Sequence, residues 1–139
     1  MASARGILIH PTRPELNIVG ELSTELSTLT TAVDGYLEAA YGYRQPDHTD
    51  AEAPRVTFLF NENGKILCDE AGRPRRLPLN ATATGLWWHY APTMYGRDVL
   101  VGPVVVFGGA DADGEFRPVP QDVIDTYTAL ITGDYAVNH

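Results

Sequence analysis

The chain has 139 residues, which fits one ordinary domain built around one core. Its 44% hydrophobic and 20% charged residues mark a folding sequence, and a formal charge of −8 is opposite in sign to that of a generic nucleic-acid binder. One cysteine excludes an internal disulfide and fits a reducing cytoplasm, and no apolar run approaches the roughly 20 residues that span a bilayer.

In chain order, the opening MASARGILIHP is too short in apolar residues to read as a secretory leader. Gly6 to His10 reads as a first strand, with Ile7, Leu8 and Ile9 contiguous and so buried on both faces. Pro11 and Pro14 mark a turn. Leu22, Leu26, Leu29 and Val33 follow a 4-3-4 spacing, the stripe of an amphipathic helix with Ser23 as N-cap. After Asp34 either the helix continues through Tyr36, Leu37 and Ala40, or Gly35 is a left-handed cap and Tyr36 to Tyr41 is a strand. The many Ser and Thr residues favour the shorter helix.

Gly42 to Pro54, which holds His48, reads as a solvated loop. Arg55 to Phe60 is a strand, Asn61-Glu-Asn-Gly64 a turn, and Lys65 to Cys68 the return strand of a β-hairpin signalled by Asn63-Gly64. Glu70 to Pro74 makes another turn and Arg76 to Leu79 a brief extended piece. Asn80 caps a short helix through Thr84 that reaches at most Trp87, with Gly85 weakening it. Asp98 to Phe107 reads as a strand whose Pro103 places it at a bulge or a sheet edge, where it could pair across a homodimer. Pro120 opens a last helix with an apolar face of Val123, Ile124, Tyr127, Leu130 and Ile131, and Gly133 caps it. The predicted architecture is one α+β domain over 1–139 with a flexible tail from about 134. A small, mostly antiparallel sheet with a central β-hairpin packs against two main helices and one short helix.

Taken together, these elements resemble those of the phage- and plasmid-encoded family known as domain of unknown function thirty-eight forty-six. The resemblance rests on Val33-Asp-Gly35-Tyr-Leu-Glu38, on the turn Asn61-Glu-Asn-Gly-Lys65, on Leu77-Pro-Leu-Asn80 and on Asp98-Val-Leu-Val-Gly102. It implies a small α+β protein from a mobile element, with a strand after Gly35, and it implies no activity. The stretch Cys68 to Arg76 and the aromatic run Trp87 to Tyr95 depart from the family pattern.

Candidate chemistry is sparse. His10, His48, His89 and His139 lack a second ligand at zinc spacing, so no metal or cofactor is expected. Asp111, Asp113 and Glu115 resemble a calcium loop, but Phe116 stands where an EF-hand needs glycine. Cys68 lies beside Asp69 and Glu70, which would raise its thiol pKa. No catalytic residue is assigned and the chain is expected not to be an enzyme. The best binding candidates are Trp87, Trp88, His89, Tyr90 and Tyr95, with Arg75 and Arg76 as the basic cluster. Adjacent tryptophans cannot point the same way, so one can enter the core while its neighbour stays near the surface.

The expected function is a non-enzymatic accessory binding protein of a phage or other mobile element, acting in the host cytoplasm on a host protein through the aromatic patch. The alternatives are a binder of a nucleotide-like small molecule, or an acidic nucleic-acid mimic. Neither direct nucleic-acid binding nor a membrane is expected.

Overall fold

The computed structural model describes residues 2–43, 54–65, 67–68 and 71–133, with residues 67, 68, 74 and 75 described by backbone alone. The loop through His48, the residues Ile66, Asp69 and Glu70, and the tail from 134 with His139 therefore lie outside the described residues, as do the side chains of Cys68 and Arg75.

The strands are β1 (Ser3–Ile9), β2 (Ile18–Ser23), β3 (Leu37–Gly42), β4 (Val56–Asn61), β5 (Leu67–Cys68), β6 (Pro74–Arg75) and β7 (Val104–Gly108). The helices are α1 (Leu26–Val33), α2 (Ala81–Tyr90) and α3 (Gln121–Thr132). Five strands form one antiparallel sheet in the order β2-β1-β7-β4-β3, and β5 and β6 form a separate small ribbon. The architecture is α+β.

Alternation along each strand splits the sheet's side chains between two layers. Ile7, Ile9, Val56, Phe58, Val104 and Val106 face α2 and α3, packing on Leu86, Trp87, Val123 and Tyr127. Ala4, Leu59, Val105 and Phe107 face the other way, against Leu29 and Val33 of α1. The β-branched run Val104-Val-Val-Phe107 is buried on both faces because β7 is the central strand. Pro103 stands just before that strand and not on an edge, so the expected edge pairing through Val99 to Phe107 is ruled out. Its missing N–H costs nothing outside the ladder.

Further expectations are corrected. Leu22 does not open the first helix. It sits on β2, a strand absent from the sequence reading, and α1 begins at Leu26 with Glu25 as its N-cap. Ser23 instead accepts the Glu25 amide in a local turn at 3.2 Å. The left-handed residue that ends α1 is Asp34, at φ 60° and ψ 45°, after which β3 follows as the shorter-helix reading expected.

The Asn63-Gly64 turn is present, with the Gly64 amide on Asn61 O at 3.2 Å. The strand after it does not return along β4, because β3 and β7 occupy both flanks of β4. Leu67–Cys68 pairs with Pro74–Arg75 instead. Finally, α2 is not short. It runs through Gly85 to Tyr90 and is longer than α1. Gly85 is kept helical by packing, since a Cβ there would lie 3.8 Å from Leu130 of α3.

Candidate functional site

Three stretches far apart in sequence meet at one end of α2. The Leu77 amide donates to Gly64 O at 2.7 Å, and the Gly102 amide donates to Pro78 O at 2.8 Å. Leu79 bridges Val101 in antiparallel fashion. Asn80 ties the meeting point to the core. Its Oδ1 accepts the Ala83 amide at 3.0 Å and caps α2, while its Nδ2 donates to Ile9 O and Gly102 O, both at 2.9 Å. All four polar groups of this fully buried residue are used, because its own amide donates to Leu100 O and its carbonyl accepts the Thr84 amide, both at 2.9 Å.

Along the same side of α2, Leu100 and Thr84 bond reciprocally, with the Leu100 amide on Thr84 Oγ1 at 2.9 Å. Asp98 is the outer hub. Its carboxylate pairs with Lys65 and accepts the Val99 amide at 2.8 Å, and its carbonyl accepts Trp88 Nε1 at 2.9 Å. The half-buried Trp88 ring then holds Tyr95 at a centroid distance of 4.8 Å and a tilt of 58°. Tyr95 itself is 73% exposed. Beside this margin lies an open cleft of about 410 Å³, lined by Arg76, Leu77, Pro78, Leu79, Val99 and Val101. Its floor is apolar, and Arg76 and the nearby Lys65–Asp98 pair give it a charged rim.

The candidate residues divide. Arg76 lines this cleft, and Trp88 with Tyr95 stands beyond Asp98, whose neighbour Val99 lines it. Trp87, one helical step from Trp88, turns into the core and donates Nε1 to Tyr41 O at 3.2 Å. Tyr90 is also buried, and His89 is exposed with its ring edge-on to Tyr90 at 4.9 Å. Arg75 takes part through its backbone, in the ribbon with Leu67. Lys65, Leu79 and Asp98 were not picked out from the sequence. The available signal was their membership in the three motif stretches, which chain order gave no reason to bring together.

A second polar group joins α2 to α3 and β4. Tyr90 Oη donates to Asp122 Oδ2 at 3.0 Å and lies 3.3 Å from Thr126 Oγ1, and Arg55 pairs with Asp122. Burial is the main cause that pushes the Tyr90 phenol up to about 12, with the Asp122 carboxylate adding to it. Burial acts to raise Asp122, but the hydrogen bonds from Arg55 and Tyr90 outweigh it and leave the carboxyl below its ordinary value. A phenol this reluctant to ionise is a structural tie and not a base at neutral pH.

The acidic loop after β7 closes on itself. Asp111 Oδ1 accepts the amides of Asp113 at 2.8 Å and Glu115 at 3.0 Å, an Asx turn. Among the described residues no group of three His, Cys, Asp or Glu side chains is placed to hold a metal ion. Among them, too, no helix is long and apolar enough to cross a membrane.

The junction gives physical meaning to the resemblance, because the three motifs whose combination is specific are the three stretches that meet. Residues 4–132 match the family described as domain of unknown function (DUF3846). The chain belongs to the DUF3846 family. No curated protein and no solved structure matches it. In DUF3846 terms, the Asn-Gly turn, the Leu-Pro-Leu-Asn element and the Val-Gly segment are one assembly: Leu77 fills the space left by Gly64 and Gly102. A Cβ at Gly102 would stand 2.6 Å from Leu77 Cδ1, and one at Gly64 would stand 3.3 Å from the same atom.

Proposed function

We propose that this chain is a non-enzymatic binding protein of a phage or other mobile element, and that it engages a host protein in the cytoplasm through the margin around Tyr95, Trp88 and Leu79. The observation that carries this reading is the exposed Tyr95 ring, fixed against Trp88 at 4.8 Å beside an apolar cleft. A preordered aromatic, held in its turn against the Trp88 ring of α2, loses little entropy on binding, which is the character of an interface anchor. Leu79 is a second exposed apolar side chain, on the lining of the cleft. Capture from host lysate tests the reading. A specific partner retained by the native chain and by Tyr36→Ala, but lost with Tyr95→Ala/Leu79→Asp, supports it. Tyr36 is the control because it is equally exposed elsewhere on the chain. A partner indifferent to the Tyr95 and Leu79 changes counts against it.

One observation favours a second reading. The cleft has the size of a small-ligand site, and Arg76 stands on its rim where a phosphate could be held. A nucleotide-like ligand would then raise the melting temperature of the native chain and not that of Arg76→Ala. A thermal-shift screen that is flat for every nucleotide removes this reading and leaves the first.

A further inference from the structure

The outermost strand beyond β1 is β2, and apolar surface is left open on both of its faces. Ile18 is 46% exposed on the α1 side of the sheet and Val19 is 41% exposed on the other. The α1 helix packs mainly on β7, β4 and β3; Leu22 of β2 joins its cluster, and Ile18 is left open. The six-pair register of β2 with β1 is unbroken by a bulge, and the strand holds no Lys and no Pro, so Glu21 is its one charged side chain.

The direction of the free backbone groups follows from two hydrogen bonds. The Thr24 amide donates to Ala2 O, so Ala2, Ala4, Gly6 and Leu8 turn towards β2. The Val119 amide donates to Arg5 O, so Arg5 and its alternates turn the other way. Bonded and non-bonded pairs alternate in an antiparallel ladder. Leu22, Gly20 and Ile18 therefore exchange bonds with β1, while Val19 and Glu21 aim their N–H and C=O groups outward.

We propose that two copies of this chain join through β2, antiparallel about a two-fold axis at Gly20, to make one continuous sheet. Ser23 aims outward as well, so registers centred on Val19, Gly20, Glu21 or Leu22 bring outward groups face to face, and centring on Leu22 pairs only Glu21 to Ser23 within the strand. Centring on Glu21 sets two carboxylates directly opposite each other in a chain of charge −8. Centring on Val19 pairs only Ile18 to Gly20 within the strand. Centring on Gly20 pairs Ile18 to Leu22 throughout and sets Ile18 against the partner's half-buried Leu22. It also sets Val19 against the partner's Glu21. That carboxylate is already held by Ser3 Oγ at 3.1 Å, with Arg5 opposite on β1, so it brings no unbalanced charge to the seam. A second copy is the fitting occupant because a strand laid in the plane of the sheet covers both faces, which a helix on one face would not. Pairing of this kind buries less than the roughly 1,600 Å² of a standard interface, so the dimer forms in the micromolar range and above.

Sedimentation of the full chain up to several hundred micromolar reads the association, and a concentration-dependent dimer is expected. Val19→Pro removes two of the four hydrogen bonds across the axis without touching the β1 ladder, and weakens the dimer by about tenfold or more. The register is read by oxidative cross-linking in a Cys68→Ser background, Cys68 being the single cysteine. Gly20→Cys cross-links, because the two Cα atoms of a non-bonded pair stand about 4.5 Å apart. A Cβ at Gly20 meets no heavy atom within 4 Å, so the substitution leaves the protomer intact. Ile18→Cys does not cross-link, because its counterpart lies about 13 Å along the strand. Circular dichroism checks that Val19→Pro is folded; where it is not, the Gly20 cross-link decides. A chain that stays monomeric at every concentration overturns the proposal. So does a dimer that survives Val19→Pro and gives no Gly20 cross-link.

Discussion

The amide of Leu77 donates to the carbonyl of Gly64 across 2.7 Å, and the Leu77 side chain fills the gap between Gly64 and Gly102. This contact explains why an Asn-Gly turn that reads as a hairpin does not make one on β4. The chain leaving the turn is drawn to Leu77-Pro-Leu-Asn80, and that element in turn is fixed by Gly102.

Gly102 should therefore resist substitution more than glycines of similar backbone conformation. At φ +73° an alanine is strained, and its Cβ would also press on Leu77 Cδ1. Gly102→Ala is expected to cost about 2–4 kcal/mol by denaturant unfolding, from backbone strain plus overpacking. Gly96→Ala, at φ +72° with open space around it, is expected to cost about 1 kcal/mol from strain alone. Equal losses at the two sites would remove Leu77 from the explanation.

Asn80 is the next test. Asn80→Ala removes a helix cap and the side-chain donor to the carbonyls of Ile9 and Gly102, at an expected cost of about 3 kcal/mol. Asn80→Asp keeps the cap acceptor but turns a carboxylate towards two carbonyls, and should be at least as damaging. Thermal unfolding of the two variants checks the order.

Trp87 and Tyr95 should separate stability from binding. Trp87→Ala empties a core position and is expected to cost about 3–5 kcal/mol. Tyr95→Ala touches a largely exposed ring and is expected to stay within about 0.5 kcal/mol of the native chain. Chemical denaturation reads both values, and a Tyr95 loss as large as that of Trp87 would make the aromatic margin part of the core.

The tie between Tyr90 and Asp122 gives stability a defined pH dependence. The folded Tyr90 phenol lies above its ordinary value of 10.0, so its contribution is intact below pH 10 and is lost as pH climbs towards about 12. The folded Asp122 carboxyl lies below its ordinary 3.8, so its contribution is present above that pH and is lost as pH falls beneath it. Tyr90→Phe should cost about 1 kcal/mol near neutrality and remove the highest-pH step from the phenolate absorbance titration. Asp122→Asn should flatten the acid limb of stability against pH.

Much of this was legible in the sequence where pattern and burial agree. The strand character of β7 follows from its β-branched run, though not its central place in the sheet, and α3 follows from its apolar spacing and its Gly133 cap. The reading failed where one pattern supports two structures. Leu22 and Leu26 are four apart, as in a helix, yet one is on β2 and the other, 68% exposed, begins α1. β2 itself alternates weakly because it is an edge with a glycine at its middle. Gly85 lowers local helix propensity, but packing against Leu130 decides the outcome. The convergence of Lys65, Leu77 and Asp98 depends on tertiary pairing, which no local pattern encodes.

The most direct test of the binding account is quencher access to Trp88 when a captured partner is bound. With Trp87→Phe as background, Trp88 is the single indole and its emission reports the margin around Tyr95 and Asp98. Saturating partner is expected to cut acrylamide quenching of Trp88 sharply and to shift its emission to the blue. Unchanged quenching and emission, with binding confirmed by sedimentation, would place the interface elsewhere and contradict the assignment.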